Sequence, residues 1–175
     1  MTQKQFYDWQ TMGGSKDVSA LVQSLEEREI SWCMIGGLAV NHWAEEPMAT
    51  ADVDLVIVTK QLEAAVEAFQ SLGFSREEFA HLVNLKGQSK VSIQITTAEF
   101  YQEFPSRSVP ADVHGMLMRV ASVEDTLAGK IAAFTDSSCR PSKRQKDLAD
   151  ISRLLESHPH LQQLIPVEVL SKLIF

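Results

Sequence analysis

Two stretches, Ile35-Gly36-Gly37-Leu38-Ala39-Val40 and Thr50-Ala51-Asp52-Val53-Asp54-Leu55-Val56, decide how this chain of 175 residues folds. Ahead of the glycines, Ser31 to Ile35 is a short apolar run. Leu38 to Ala44 after them fits a short helix that stops before Pro47. Val53 to Val58 is aliphatic and mostly β-branched, the pattern of a buried strand. The unit is therefore a strand, a glycine turn, a helix, and a strand that opens on two aspartates. Residues i and i+2 of a strand share a face, about 6–7 Å apart at ~3.3 Å per residue. Two carboxylates so placed repel each other and raise each other's pKa. A hard divalent cation removes that repulsion, and Mg²⁺ is usually shared with substrate phosphates. The Gly36-Gly37 turn lets backbone approach a ligand closely, and the helix starting there offers free N–H groups to an anion. Each half has a plainer use, as a tight turn or as an aspartate capping one; their order and spacing together describe a metal–triphosphate site.

Outward from this unit, residues 1–14 read as a loose lead-in ending at Gly13-Gly14. Ser15 caps a helix in which Val18, Leu21, Val22 and Leu25 recur at helical spacing. Leu62, Ala65, Val66, Phe69 and Leu72 form a second helical stripe, stopped by Gly73. His81 to Leu85 and Lys90 to Ile95 read as a hairpin around Gly87-Gln88, with Val91, Ile93 and Ile95 inward and Ser92 and Gln94 outward. Met116 to Val120 is a further strand. Ser122 with Asp125 resembles a capping box opening a helix to about Phe134. A polar linker, Asp136 to Pro141, leads to a helix carrying Leu148, Ile151, Leu154 and Leu155, and residues 166–174 add a turn or two. The class expected is α+β: one domain over 1–175, a mixed sheet covered by helices, with a helical C-terminal part from 122 to 175.

Composition narrows the function. Hydrophobic residues are 45% and charged residues 22%, ordinary for a globular chain able to bury a core. Sixteen Lys and Arg against 23 Asp and Glu give a net charge of -7. Such a balance disfavours a general nucleic-acid clamp and leaves room only for a local basic patch. Two cysteines, Cys33 and Cys139, are too few for a disulfide framework or a zinc site. No secretion signal is visible at MTQKQFYDWQ, and no run approaches the roughly 18 apolar residues of a membrane span. A cytoplasmic protein without a membrane partner is the expectation.

With those stretches in hand, the chain resembles the DNA polymerase β-type nucleotidyltransferase superfamily, and within it the small bacterial abortive-infection proteins of toxin–antitoxin systems. Glu124-Asp125-Thr126-Leu127 with Lys130, and Lys143-Arg144 with Asp147-Leu148-Ala149-Asp150-Ile151, resemble that group's helical segment. The resemblance implies a nucleotidyltransferase fold and transfer of a nucleoside monophosphate from an NTP to an acceptor hydroxyl on RNA, a protein or a small molecule. It also implies that Asp52 and Asp54 hold Mg²⁺ and act in catalysis, and that Gly36 and Gly37 cradle the phosphates. Lys130 and Lys143 are candidate phosphate contacts, and the resemblance to such systems implies a partner protein. Two positions depart from the pattern. Ser92 stands where a third carboxylate is expected, and a hydroxyl is a weak Mg²⁺ ligand and no base. Met48 stands where relatives often carry arginine. The alternatives are a catalytically inactive nucleotide-binding or interaction protein, or an acid such as Glu99, Glu124 or Asp125 filling the gap.

Other candidates have structural readings. His42 suits a partly buried structural histidine better than a site residue. Trp32 and Trp43 suit packing. Arg140, Lys143, Arg144 and Lys146 make a solvated basic face from which Lys143 and Arg144 can reach phosphates. His114, His158 and His160 show no metal-ligand spacing.

Overall fold

The computed structural model describes residues 1–174, so the domain boundary expected at 175 lies outside the described residues. Strand β1 (Trp32–Ile35) and strand β2 (Val53–Ile57) pair antiparallel, with Ile35 opposite Asp54. Alternation sorts their side chains onto two faces. Trp32, Met34, Val53, Leu55 and Ile57 enter the larger core. Cys33 and Val56 enter a smaller one on the opposite face, with Ile35 packed against it, and Asp54 shares that second face. The remaining strands are β3 (Ser75–Phe79), β4 (Leu82–Lys86), β5 (Ile93–Thr96), β6 (Val109–Val113) and β7 (Met116–Val120). They complete a seven-stranded sheet in the order β3-β4-β5-β2-β1-β7-β6. The pairs β2–β5 and β1–β7 are parallel and the others antiparallel, so the sheet is mixed as expected.

The large core is closed by α1 (Gln3–Thr11), α2 (Gly14–Glu27) and α4 (Leu62–Ser71), through Tyr7, Leu21, Leu25 and Phe69. Each such side chain contributes roughly 1.5–3 kcal/mol of burial. The second face is covered by a 3₁₀ turn at Phe104–Arg107 and by α5 (Val123–Thr135). Helices α3 (Gly36–Trp43), α5, α6 (Pro141–Ser157) and α7 (Val167–Leu170) build a third core around Val40, Leu127, Ile151 and Leu154. Ser122 caps α5 as expected, its hydroxyl accepting from the Asp125 N–H at 3.1 Å. No helix among the described residues is long and apolar enough to cross a membrane.

Four local expectations change. Residues 1–14 are no loose lead-in: they hold α1, started by a capping box between Thr2 and Gln5. With few apolar residues, α1 carries no helical stripe; it is held by docking of Tyr7 and Thr11. Ser15 is not the cap of α2, a place taken by Gly13; its N–H and hydroxyl donate to Asp8 at 2.9 and 2.8 Å. The hairpin's second strand starts at Ile93, because the Lys90 N–H donates to the Thr11 carbonyl and Ser89 is held by Asp17. Strands β3 and β6 were not expected. Both are sheet edges, where charge as in Ser75-Arg76-Glu77-Glu78-Phe79, or a proline such as Pro110, protects against further pairing and hides the strand pattern.

Candidate active site

Gly36 has φ +74, and a Cβ there would overlap the Asp54 carboxylate and stand 2.8 Å from its Cγ. Only glycine lets the turn between β1 and α3 lie against that side chain. A Cβ on Gly37 would lie 3.4 Å from Thr50 Oγ1, so the second glycine sits against the segment leading into Asp52. Gly36, Asp54, Gln94, Lys130, Lys143 and Asp147 are among the residues lining a cleft of about 180 Å³. Asp54 is partly buried, whereas Asp52 is exposed just before β2 and does not line the cleft. Burial pushes the Asp54 carboxyl from 3.8 up to about 6; Lys130 pulls it back, and Asp52 adds to the rise. Neither aspartate has an ion-pair partner among the described residues.

The strand that was to supply a third acid lies beside β2, and its register moves the position in question. Parallel pairing sets Gln94 across from Asp54, while the Ser92 carbonyl accepts from Val53 N–H one step before the strand. The residue beside Asp54 in the cleft is thus Gln94, and Ser92 is outside the lining. An amide oxygen is a neutral ligand and no base. Of the substitutes considered, Glu99 and Glu124 are exposed and outside the lining. Asp125 lines the cleft, gripped by both oxygens from Arg107 at 2.9 Å.

Lys130 lines the cleft from α5, its ammonium 3.0 Å from Asp147 Oδ1 and 2.7 Å from Asp150 Oδ2. Burial alone would lower its pKa; Asp150 and then Asp147 outweigh this and raise it. It is a fixed cation aimed by two carboxylates, and Asp147 keeps a buried Oδ2 without a hydrogen-bond partner. The same Asp150 also receives Arg153 at 2.9 Å. Lys143, exposed in the first turn of α6, lines the same cleft without an ion pair among the described residues. Arg144 is occupied otherwise: its Nε donates to the Phe134 carbonyl at 2.7 Å and its guanidinium lies over the Phe134 ring. His42 is exposed and outside the cleft, edge-on to Trp43. Trp32 is buried, with its N–H on Glu26, and Trp43 donates to the Ala121 carbonyl. No cluster of three or more His, Cys, Asp or Glu fit to hold a metal occurs among the described residues. Asp54 is the carboxylate of the cleft without an ion pair among the described residues, and one or two carboxylates are enough for Mg²⁺ when phosphates complete its shell.

A family model described as "Nucleotidyl transferase AbiEii toxin, Type IV TA system" matches residues 19–173. Among solved structures, the antibiotic-resistance factor ANT(2'')-Ia in complex with adenylyl-2''-tobramycin is similar at TM-score 0.62 and 14% identity, over 89% of this chain and 95% of that one. The lincosamide antibiotic adenylyltransferase LnuA, lincomycin-bound, is similar at TM-score 0.54 and 12% identity, over 79% and 96%. An antigenic nucleotidyltransferase-like protein from Paracoccidioides brasiliensis is similar at TM-score 0.54 and 22% identity, over 79% and 73%. At these identities the likeness speaks for the fold. A search of curated proteins finds no match.

Proposed function

The chain belongs to the nucleotidyltransferase AbiEii toxin family of type IV toxin–antitoxin systems, and on that premise we propose that it binds Mg²⁺–NTP and moves the nucleoside monophosphate to an acceptor hydroxyl in the cytoplasm. The observation that carries this reading is Gly36 lying against Asp54 at the wall of the cleft. Asp52 and Asp54 supply the anionic oxygens for the metal. When bound, Mg²⁺ screens the phosphate charge and polarises the α-phosphate. The backbone N–H groups of Gly36 and Gly37, without helical acceptors at the start of α3, face the phosphates. Lys143 meets them as a mobile point charge. Lys130, held by Asp147 and Asp150, sets the positive potential around Asp54. The acceptor oxygen then bonds to the α-phosphorus, the bridge to the β-phosphate breaks, and pyrophosphate leaves.

A second reading, nucleotide binding without turnover, is favoured by one observation: β5 presents the neutral Gln94 beside Asp54. Pyrophosphate release from each NTP with Mg²⁺ separates the two. The enzyme reading expects release that Asp54→Asn abolishes and that Gln94→Asp raises by an order of magnitude or more, the scale of one positioned acid or base. Ser92→Asp, outside the cleft, leaves the rate where it was. No release from the parent chain or from Gln94→Asp would leave only the binding reading.

A further inference from the structure

A second hollow, of about 280 Å³, lies between α1, residues 47–50 and the turn joining β6 to β7. Phe6, Tyr7, Asn41, Met48, Thr50 and His114 shape it, and no Lys, Arg, Asp or Glu is among the described residues that line it. Resting on the nucleotidyl-transfer reading, we propose that this hollow is the acceptor subsite and that it takes an uncharged small molecule with an apolar body and a hydroxyl group.

Its position argues for that role. Thr50 lies on the hollow and, two residues on, the chain can carry Asp52 no more than about 7 Å away. The glycine turn reaches toward both spaces: Gly36 lines the triphosphate cleft, and Gly37, the next residue, sits against Thr50 of the hollow. The Tyr7 hydroxyl donates to the Ala51 carbonyl at 3.3 Å, and its pKa is raised by burial and then by the charge of Asp52. Asp52 follows Ala51 directly in the chain and lines neither the cleft nor the hollow.

The lining argues for the class of acceptor. Phe6, Tyr7 and Met48 give apolar walls. His114 stacks on Tyr7, centroids 5.2 Å apart and planes 20° from parallel. Its Nδ1 is buried without a partner, and burial lowers the pKa of the ring, favouring the uncharged imidazole. A buried ring nitrogen without a partner is unfavourable, and a ligand's polar hydrogen or oxygen would satisfy it. The hollow is preformed. Asn41 holds Met48 in both directions, at 2.6 and 2.9 Å, and Arg153 ties Asn41 and the Glu46 carbonyl at 2.8 and 2.6 Å. A polyanionic acceptor needs Lys or Arg against its phosphates, and the hollow supplies none. In the transfer, the acceptor hydroxyl oxygen bonds to the α-phosphorus, the α–β bridging bond breaks with its electron pair on pyrophosphate, and the hydroxyl proton passes to water.

The experiment uses 2-phenylethanol as probe and ¹³C-methyl methionine NMR as readout, with Mg²⁺–NTP binding followed separately by calorimetry. The Met48 methyl should shift saturably, while the buried Met34 and Met118 stay fixed and report an intact fold. With Mg²⁺–NTP present, 2-phenylethanol should raise pyrophosphate release several-fold. Phe6→Lys, on a partly exposed position of α1, should abolish both the Met48 shift and that stimulation, with Met34 and Met118 unmoved. An unmoved Met48 in a protein that binds Mg²⁺–NTP overturns the hollow alone; absence of NTP binding overturns the transfer reading beneath it. A short RNA with a free 3′-hydroxyl that shifts Met48 and is itself modified overturns the uncharged-acceptor class.

Discussion

Asp54→Asn should stabilise the metal-free protein while destroying its metal site. The folded carboxyl sits at about 6 against 3.8 without the fold, chiefly because it is buried. Between those values the folded state binds a proton that the unfolded state does not, so stability falls as pH rises through the window. At 1.36 kcal/mol per pH unit the charged carboxylate costs about 3 kcal/mol above pH 7. Below about pH 3 both states are protonated and the cost is gone, and at about pH 4 little of it remains. Asparagine keeps the shape and drops the charge. In EDTA at pH 7.5 the variant should be more stable by about 2–3 kcal/mol, roughly 5–10 °C in Tm for a chain of this length. Urea or thermal unfolding from pH 4 to 8 is the assay, with the advantage of the variant shrinking to near zero at pH 4. Adding Mg²⁺ and NTP should then raise the Tm of the parent chain only. A variant that is less stable at pH 7.5, or a difference that does not change with pH, would refute the claim that this carboxylate is held at an energetic disadvantage for a cation.

Lys130→Met removes the cation from between Asp147 and Asp150, leaving the buried Asp147 uncompensated and Asp150 with Arg153 alone. A loss of about 3–5 kcal/mol in urea unfolding is expected, and a change under 1 kcal/mol would mean that the pair is not needed. Gly36→Ala imposes a side chain at φ +74, roughly 1–2 kcal/mol of strain, and drives a methyl into the Asp54 carboxylate. It should weaken Mg²⁺–NTP binding at least tenfold by calorimetry, and unaltered affinity would separate the turn from the metal site.

The centre of the fold was legible because its causes are local. A β-branched run needs burial on both faces, and Gly36-Gly37 permits a backbone that other residues avoid, so β1, α3, β2 and Asp54 beside the turn follow from neighbouring residues, while Asp52 stands before the strand and outside the cleft. What lay beyond reach depends on pairing between distant segments. Ser92 and Gln94 alternate outward equally well; only the parallel register of β5 on β2 sets Gln94 beside Asp54. Lys130 reads as a free phosphate contact until α5 and α6 pack and bring it against Asp147, 17 residues on. Helix α1 and the edge strands β3 and β6 carry weak patterns because exposure lets polar residues and proline occupy them. The second hollow is formed by α1, residues 47–50 and the β6–β7 turn, and no periodicity in any one of them announces it.

The central claim is that Asp52, Asp54 and the glycine turn hold a metal–triphosphate. Calorimetric titration of the protein with each NTP, with and without Mg²⁺, tests it most directly. The account predicts saturable binding of at least one NTP that requires Mg²⁺ and is lost in Asp54→Asn. Binding to no NTP, or binding indifferent to both Mg²⁺ and Asp54, would contradict it.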